Sequence, residues 1–452
     1  MGPCLKELNK TSYLRLLAHA CNALDFAYVG SVGEDGNRGQ LCGFSAHALK
    51  TVFVPASGQN RVPSNTDALA EEMESLLQSY RLETIDEGRF LPGGWIGFLS
   101  YELGYVREKR LAGLCPSMPV PQLSAGFYLW TASYNRETDK YCLWVHAECP
   151  AETRARIDQW LNTEPAVENK SWVMASRFEP RQSSRSFKAS VKRIRDYIEA
   201  GDCYQANLSQ EFEGRYRGEP WQAFKALAEA NPTPYSAFIR SGDFSVLSIS
   251  PERFLEIRGT TVTTSPIKGT RSRGTTPETD SALAAELEAS DKDLAENLMI
   301  VDLLRNDLSL NAKPGSVKVD KLFALESYRN VHHLVSHIRA ELAEGVTPMK
   351  ALFDAFPGGS ITGAPKIRAM EIIRELEPHW RGPYCGSIFY RGLDGTLDSN
   401  IAIRTMLCDG QGTIRCWGGG GIVADSDPEA EYQETLAKVG PLMRFLEELV
   451  IE

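Results

Sequence analysis

The chain has 452 residues, of which 42% are hydrophobic and 24% charged, a composition that is ordinary for a soluble globular protein. Its length suffices for one large domain or for two to three ordinary ones. The net charge of −10 argues against nucleic acid as a main partner, because the chain has no basic surplus to neutralise phosphates.

The N-terminal sequence and the spacing of the cysteines indicate the cellular compartment. The N-terminal residues contain no long apolar segment before a small-residue cleavage site, and no apolar run elsewhere approaches the length needed to cross a bilayer. The ten cysteines are scattered and form no CxxC pair, which disfavours zinc and disulfide frameworks. We therefore expect a cytoplasmic protein with reduced thiols and no membrane partner, and we interpret Cys203 as a packing residue.

Taken in chain order, the residues predict three regions: an N-terminal region over 1–150, a polar linker over 151–185, and a main region over 186–452. A helix is predicted over 281–304, and its second half, 294–304, is apolar nearly all round, so we expect it to be buried. Consecutive strands are joined by hairpin-length connections and do not alternate strictly with helices. This pattern favours an α+β fold, a large composite domain of antiparallel β-sheets packed together and surrounded by helices.

The segment CWGGGGIVADSDPEAEYQETLAK, over 416–438, holds two adjacent features. Its four glycines offer bare backbone N–H groups to a ligand, and we expect them to form a turn. The following DSDPE sequence predicts a helix start with proline at the first position. On that helix Glu431, Glu434 and Lys438 are spaced i, i+3 and i+7, which puts them on one face. This arrangement suits a small anionic ligand bridged by a metal ion; the alternative is a glycine turn before a solvated acidic helix.

Glu296 stands in the apolar helical segment, where a buried charge without its partner costs on the order of 3–5 kcal/mol. Two explanations remain open, a salt bridge to an arginine and a metal ligand. Glutamates without a cysteine or histidine cluster suit Mg²⁺, which keeps several waters and uses one or two carboxylates plus substrate oxygens. Counted together with Glu431 and Glu434, Glu296 favours the metal site.

Further residues stand in patterns that fit binding or catalysis. Lys268, between proline and glycine in PIKGT, is either a surface turn residue or a nucleophile that must first lose its proton. In FPGGSITGAPK the backbone, Thr362 and Lys366 fit an anion, although the GxxxxGK[ST] pattern of an ATP-binding loop is missing. Arg404, predicted on a buried strand, needs a carboxylate from the protein or from a ligand. His333 is either a satisfied core residue or a catalyst.

The order of these motifs resembles that of the chorismate-utilising enzymes, a family that includes anthranilate, isochorismate, salicylate and aminodeoxychorismate synthases. The resemblance is very specific over 186–452, which it implies is the chorismate-binding catalytic region. It is looser over 1–150, where PGGWIGFLSYELGY still resembles the family. The motifs that carry it are GDCYQANL, ISPERF, PIKGT, LAENLMIVDLLRNDL, VHHLVS, FPGGSITGAPKIRAMEII, YCGSI, NIAIRT and GGGGIVADSDPEAEYQETLAK.

The resemblance implies that chorismate binds here together with a Mg²⁺ cofactor. Glu296 and Glu434, with Glu431 beside them, would hold the metal, which would take the ring carboxylate. The enolpyruvyl carboxylate would be held by Arg404, Tyr384, Gly419, Gly420 and Gly421. Lys438 and Thr362 are implied as further substrate contacts.

Two positions separate the branches of this family. Gln205 stands where isochorismate and salicylate synthases carry a lysine base that activates water, and a glutamine there fits ammonia as the nucleophile. Lys268 stands where anthranilate synthases carry alanine, which resembles the aminodeoxychorismate branch, in which this lysine adds covalently to the ring before ammonia displaces it. Glu252 would protonate the departing 4-hydroxyl group, and His333 would lie near the ring.

The resemblance therefore predicts that chorismate and ammonia are converted to 4-amino-4-deoxychorismate for p-aminobenzoate and folate. Anthranilate synthesis for tryptophan is the alternative. Because the chain has no recognisable glutaminase motif, ammonia would come from a glutaminase subunit in a heterodimer. Related N-terminal regions often bind tryptophan, but the sequence NRGQLCGF over 37–44 does not match the pattern expected of such a site.

Overall fold

The computed structural model describes residues 4–30, 41–56, 66–82, 90–165, 171–327 and 331–451. Residues 37–40, part of the stretch compared above with tryptophan sites, lie outside these ranges. Short 3₁₀ turns occupy Ala112–Leu114 and Gly359–Ile361. The α-helices within the described ranges are α1 (Lys10–Ala20), α2 (Thr66–Ser79), α3 (Leu103–Arg107), α4 (Ala151–Asn162), α5 (Ser184–Glu199), α6 (Pro220–Ala230), α7 (Pro277–Glu288), α8 (Asp291–Ser309), α9 (Pro348–Ala355), α10 (Lys366–Leu376) and α11 (Pro428–Glu448).

Strands are distributed along the whole chain, from its first described residues to its last. They are β1 (Cys4–Leu8), β2 (Ala27–Gly30), β3 (Leu41–Ser45), β4 (Lys50–Val54), β5 (Gly94–Leu99), β6 (Leu123–Tyr128), β7 (Trp130–Asn135), β8 (Lys140–Val145), β9 (Trp172–Pro180), β10 (Gln205–Gly218), β11 (Tyr235–Ser241), β12 (Phe244–Ser250), β13 (Arg253–Arg258), β14 (Thr261–Thr264), β15 (Ile267–Ser272), β16 (Lys318–Ser327), β17 (Val331–Glu341), β18 (Gly363–Ala364), β19 (Ser387–Gly392), β20 (Leu397–Asn400), β21 (Thr405–Cys408), β22 (Thr413–Ile422) and β23 (Val450–Ile451).

The strands form two large antiparallel sheets. The first has the order β1-β8-β7-β3-β2-β11-β12-β21-β22-β10-β9-β23, with β18 beside β10. The second has the order β15-β17-β14-β13-β20-β19-β5-β6-β4, with β16 beside β17. The predicted α+β fold with antiparallel sheets is therefore confirmed.

Both sheets combine strands from 1–150 with strands from 186–452. In the first sheet β2 pairs with β11, and in the second β5 pairs with β19. The stretch 151–185, predicted as a linker, carries α4 and β9, and β9 pairs with β10. The division into regions stays a prediction, but hydrogen-bonded sheet structure runs across it.

A mostly apolar core lies between the sheets and their helices. Its largest members are tryptophans, and Trp95, Trp130 and Trp172 are fully buried. A second cluster lies beneath α5, whose Phe187, Val191 and Ile194 form one apolar face. Cys203 is buried in this second cluster, as expected for a packing residue.

The predicted helix over 281–304 differs from the structure in two ways. It is broken into α7 and α8, and Ser290 caps the second helix by accepting a hydrogen bond from the N–H of Asp293. The segment 294–304 is also not buried all round, since Leu298 is 46% exposed. Only one face of α8 packs against β17 and the turn Gly359–Ile361, and the prediction of complete burial was wrong.

None of the described helices combines the length and the apolarity that crossing a membrane requires.

Candidate active site

The four consecutive glycines lie inside strand β22, so the expected turn was wrong. Asn207 pairs with Gly421, Leu208 with Gly420 and Ser209 with Gly419 along β10. On its other side β22 is paired by β21 only as far as Cys416. Among the described strands, the glycine run therefore has an edge without a partner strand, and its backbone polar groups face the site.

The face predicted on helix α11 meets this strand at Gly420. Asp427 caps the helix by accepting hydrogen bonds from two backbone N–H groups. A Cβ placed on Gly420 would lie 3.4 Å from Glu431 Oε2, 3.5 Å from Lys438 Nζ and 3.6 Å from Glu434 Oε1. Glycine thus leaves open the space on which the two carboxylates and the ammonium group converge, as the i, i+3, i+7 spacing predicted.

Two further side chains fill the neighbouring positions along the strand. A Cβ on Gly419 would lie 2.9 Å from the hydroxyl oxygen of Tyr384, and a Cβ on Gly421 would lie 2.7 Å from Gln205 Nε2. Gln205 is 2% exposed, and its Nε2 has no hydrogen-bond partner among the described residues. The glycines are therefore required for the close approach of Tyr384 and Gln205 to the backbone.

Three glutamates and three lysines make the site strongly charged. Burial raises the pKa of Glu296, and Lys268 and Lys292 oppose that shift. Burial also raises the pKa of Glu431, whose Oε1 accepts a 2.6 Å hydrogen bond from Ser426. Their burial means that both groups hold their negative charge less readily than an exposed glutamate.

Glu434 behaves differently from its two neighbours. Burial raises its pKa, but Lys438, whose Nζ lies 2.6 Å from Glu434 Oε1, and other nearby lysines lower it further, so the net shift is downward. Lys438 also donates to the carbonyl oxygen of Gly419 at 2.9 Å. Lys438 is thereby held between the helix face and the glycine strand.

Lys268 and Glu252 form the second half of the site. Lys268 is half-buried on β15, and its charge acts on the carboxylates of Glu252, Glu296 and Glu434. Burial raises the pKa of Glu252, while Lys268 and a hydrogen bond from Ser360 Oγ at 3.1 Å oppose the shift. A buried carboxyl group with a raised pKa is suited to donate a proton.

Arg404 does not lie on a buried strand as predicted. It directly precedes β21, is exposed, and adopts φ +51°. No carboxylate forms an ion pair with it among the residues that the structure describes. A guanidinium that forms no ion pair within the described part of the chain, at the edge of this cleft, fits a ligand carboxylate.

His333 lies on β17 close to Arg404. Its Nδ1 is 2.9 Å from Thr270 Oγ1. Burial and the charge of Arg404 lower the pKa of His333 to about 4, so the imidazole is neutral near pH 7.

In the loop FPGGSITGAPK, the two side chains predicted to bind an anion have hydrogen-bonding partners within the protein. Thr362 is fully buried and donates its hydroxyl to the carbonyl oxygen of Gly358 at 3.0 Å. Lys366 pairs with Asp307 at 2.7 Å and donates to the carbonyl of Ala355, so its ammonium group is already engaged. The interpretation of Lys366 as an anion ligand stays a prediction that these contacts do not support, and Thr362 faces its own loop.

A protein-family model described as chorismate binding enzyme matches residues 43–444. The chain belongs to this family of chorismate binding enzymes.

Several relatives within the family are similar over most of the chain. Aminodeoxychorismate synthase component 1 of Klebsiella aerogenes is 44% identical over 355 residues, covering 78% of this chain and 77% of that protein. The Escherichia coli K12 protein of the same name is 40% identical over 407 residues, covering 90% and 88%. The structure of anthranilate synthase component I from Streptococcus pneumoniae TIGR4 is 30% identical with a TM-score of 0.76, covering 90% and 92%.

The carboxylates of the site have the chemistry that a divalent cation, expected from the family resemblance, would need. Glu431 and Glu434 converge at Gly420, and the charge of Glu434 acts on Glu296. Among the described residues, no group of three or more histidine, cysteine, aspartate or glutamate side chains stands close enough together to hold a metal ion by itself. Two converging carboxylates with a third nearby match Mg²⁺, which completes its coordination with waters and substrate oxygens.

Sequence reasoning missed three residues of this family site. Lys292 lies 3.9 Å from Glu296 and also acts on Glu431 and Glu434. The sequence signal that could have identified Lys292 is its position four residues before Glu296 on a helix, which places the two side chains on the same face. Ser426 and Ser360, which bond to Glu431 and Glu252, stood inside the quoted motifs, but only tertiary contacts reveal their partners.

Proposed function

We propose that this chain is the chorismate-binding component of an aminodeoxychorismate synthase, which converts chorismate and ammonia to 4-amino-4-deoxychorismate on the route to p-aminobenzoate and folate. The single observation that supports it most is Lys268, half-buried in the cleft with its charge acting on the buried acid Glu252. Relatives named aminodeoxychorismate synthase component 1, at 40% and 44% identity, support the same reaction.

Chorismate carries two carboxylates, and we assign each of them to a different group of residues in the cleft. Arg404 and the backbone and side-chain groups around Gly419 would bind the enolpyruvyl carboxylate. Glu296, Glu431 and Glu434 would hold Mg²⁺, which when bound supplies positive charge to neutralise the ring carboxylate. Lys438, held 2.9 Å from the Gly419 carbonyl, would complete the charge balance between these two subsites.

Lys268 and Glu252 would carry out the substitution at the ring. The neutral amine of Lys268 forms a C–N bond to the ring as the C4–O bond breaks, and Glu252 gives its proton to the departing hydroxyl, which leaves as water. Ammonia then bonds to C4 and displaces the lysine, whose electron pair returns to its nitrogen. Gln205, which cannot act as a base, would leave water unactivated and so favour ammonia.

Product analysis tests this function directly. Purified chain would be incubated with chorismate, Mg²⁺ and ammonium, and the products separated by chromatography. The expected product is 4-amino-4-deoxychorismate. Anthranilate or isochorismate as the main product would overturn the proposal.

Anthranilate synthesis is the second candidate. Anthranilate synthase component 1 of Cereibacter sphaeroides is 45% identical to this chain over 262 residues, although these are only 58% of the chain. Lys268 favours aminodeoxychorismate over anthranilate, because the family resemblance places alanine at this position in anthranilate synthases. The same product analysis decides between the two.

The ammonia donor would be a separate glutaminase subunit. The relatives are named component 1, which points to a second component in their assemblies. We propose a heterodimer in which that subunit hydrolyses glutamine and this chain uses the ammonia released.

A further inference from the structure

A buried ion pair lies behind the glycine strand and is not used by the proposed chemistry. Arg381 and Glu377 have side-chain exposures of 1% and 3%. Arg381 Nε and Nη2 donate to the two oxygens of Glu377 at 2.9 and 2.7 Å. The same carboxylate accepts from the N–H and the hydroxyl of Ser209 at 2.7 and 2.8 Å, so it is fully hydrogen-bonded.

The N-terminal region contributes the other side of this cluster. Glu102, in the SYELGY sequence, is 1% exposed and accepts from the backbone N–H groups of Arg381 and Gly382 at 2.7 and 2.9 Å. The ring of Tyr101 lies under the guanidinium, 4.4 Å from its carbon to the ring centroid. We call these residues the Arg381 cluster: Tyr101, Glu102, Ser209, Glu377 and Arg381.

The remaining donors of Arg381 reach two backbone segments of the candidate site. Nη2 donates to the carbonyl oxygen of Asn207 at 2.7 Å, and Nη1 donates to that of Ile361 at 3.0 Å. Asn207 is the β10 residue opposite Gly421, and its N–H donates to Thr362 O at 2.8 Å. One guanidinium therefore fixes the strand behind the glycines relative to the 357–365 loop.

A third segment is fixed through the backbone of the same residue. The N–H of Tyr384 donates to the carbonyl oxygen of Arg381 at 3.1 Å. The Tyr384 ring stacks on Trp417, with 6.0 Å between centroids, and its hydroxyl reaches the Gly419 position. The turn that presents Tyr384 to the glycine strand is thus anchored at Arg381 and Glu102.

We propose that Arg381 is a positioning residue for the substrate site: through Glu377 and Glu102 it sets the relative placement of β10, the 357–365 loop and Tyr384. That the affected ligand is chorismate rests on the proposed function, whereas the positioning role of Arg381 does not. A buried ion pair is weak evidence for stability, because well-packed apolar side chains often serve as well. The planar fork of arginine, however, fixes several acceptors in one geometry, which a lysine or an apolar pair cannot do.

The chain offers a matched control pair elsewhere. Arg391 and Glu74 have side-chain exposures of 4% and 6% and form two 3.0 Å hydrogen bonds between β19 and α2. Neither residue contacts a member of the candidate site in the hydrogen bonds and ion pairs of the described residues. Removing this pair tests what the loss of a buried ion pair does to the protein in general.

The experiment compares Arg381→Lys and the double variant Glu377→Met/Arg381→Met with the control Glu74→Met/Arg391→Met. The double variants remove both charges of an ion pair, so neither member of that pair is left buried without its partner. We expect both Arg381 variants to raise the KM for chorismate about ten- to a hundredfold with a smaller change in kcat, as displaced binding groups do. The control should keep the KM of the wild type, whatever its melting temperature.

Hydrogen exchange supplies a readout that does not depend on turnover. In both Arg381 variants, amides in 205–209, 361–365 and 382–386 should exchange faster than in the wild type, whereas in the control they should not. Wild-type chorismate KM and wild-type exchange in these segments would overturn the inference. If wild-type protein fails to use chorismate, the proposed function fails, and the exchange pattern alone decides the positioning role.

Discussion

Lys268 is the residue on which the choice of reaction depends. The structure brings the carboxylates Glu252, Glu296 and Glu434 within the electrostatic reach of its amine. Lys268 therefore links the proposed acid Glu252 with the carboxylates that are proposed to hold Mg²⁺.

Replacement of Lys268 by alanine should separate binding from chemistry. We expect aminodeoxychorismate formation to fall by at least about a thousandfold, the scale on which catalytic nucleophiles act. Chorismate binding should persist, since Arg404 and the glycine strand remain. Steady-state kinetics and calorimetry measure the two effects, and mass spectrometry of the wild type should show a chorismate-derived adduct on Lys268.

Lys292→Ala is the matched control, because this lysine also acts on Glu296 and Glu434, whereas Lys268 acts on the proposed acid Glu252 as well. It should form product within about tenfold of the wild type, as expected for a partly exposed charge. Equal losses in Lys268→Ala and Lys292→Ala, with no adduct in the wild type, would remove the nucleophile role.

Glu296→Gln tests the metal site. Glutamine keeps the shape of the side chain and removes the charge, so we expect the fold to persist and Mg²⁺-dependent turnover to disappear. Calorimetric titration with Mg²⁺ alone should show weakened binding. Glu429→Gln, an exposed glutamate at the start of α11 that pairs with Lys188, is the control. Undiminished Mg²⁺ affinity in Glu296→Gln would contradict the assignment.

Glu102 predicts a pH dependence of stability. Burial raises its pKa from 4.5 to about 7, so between these values the folded chain holds a proton that the unfolded chain releases. The stabilisation that this proton provides is complete below the pKa that Glu102 has in the unfolded chain. It is lost as the pH rises through the pKa of Glu102 in the folded chain, and the free energy of unfolding then falls by up to about 3 kcal/mol.

Glu102→Gln removes this titration and one of two acceptor oxygens. Its deficit in unfolding free energy relative to the wild type should therefore be larger at about pH 5 than at about pH 8. Urea unfolding at both pH values measures the difference. A deficit that does not change with pH would show that Glu102 does not titrate in this window.

At the scale of elements, strand β22 and helix α11 make the site between them. The strand brings backbone without side chains, and the helix brings three charged groups on one face. A Cβ on Gly420 would meet Glu431, Glu434 and Lys438 at 3.4–3.6 Å, which is ordinary contact without overlap. The position is therefore open to alanine sterically, but the methyl group would occupy the space where the charged groups converge.

The Gly420→Ala variant should accordingly fold like the wild type but bind its ligands poorly. We expect the unfolding free energy to change by no more than about 1 kcal/mol, the usual range for glycine and alanine within a strand. Affinity for Mg²⁺ and chorismate should fall by about tenfold or more, because contacting groups are displaced. The control is Gly113→Ala, where a Cβ would meet nothing within 4 Å. Wild-type affinity in Gly420→Ala would show that the ligand does not enter this space.

At the scale of the whole molecule, the proposed reaction requires a source of ammonia. Glutamine hydrolysis by an amidotransferase needs a reactive thiolate in a partly exposed site. Of the ten cysteines only Cys4 is exposed, and Cys115 is the one of intermediate exposure. Burial raises the pKa of Cys42 and Cys149, which makes these thiols poor nucleophiles.

The isolated chain should therefore use ammonium but not glutamine. Addition of a glutaminase subunit should restore glutamine-dependent synthesis, and chromatography of the product measures both activities. The wild-type chain with ammonium is the positive control. Efficient hydrolysis of glutamine by the purified chain alone would contradict this prediction and reveal a glutaminase site within the chain.

The sequence by itself determined the fold class, and it predicted most of the side chains that meet in the candidate site. Hairpin-length connections indicated antiparallel sheets, and the spacing of Glu431, Glu434 and Lys438 placed them on one face, because both signals are local. The tertiary structure decided that the glycines form a strand, that α8 is exposed on one side, and that Arg404 precedes its strand. It also decided that Glu102 supports Arg381, a contact across 279 positions, because such pairings depend on how distant segments pack and leave no periodic pattern in either segment.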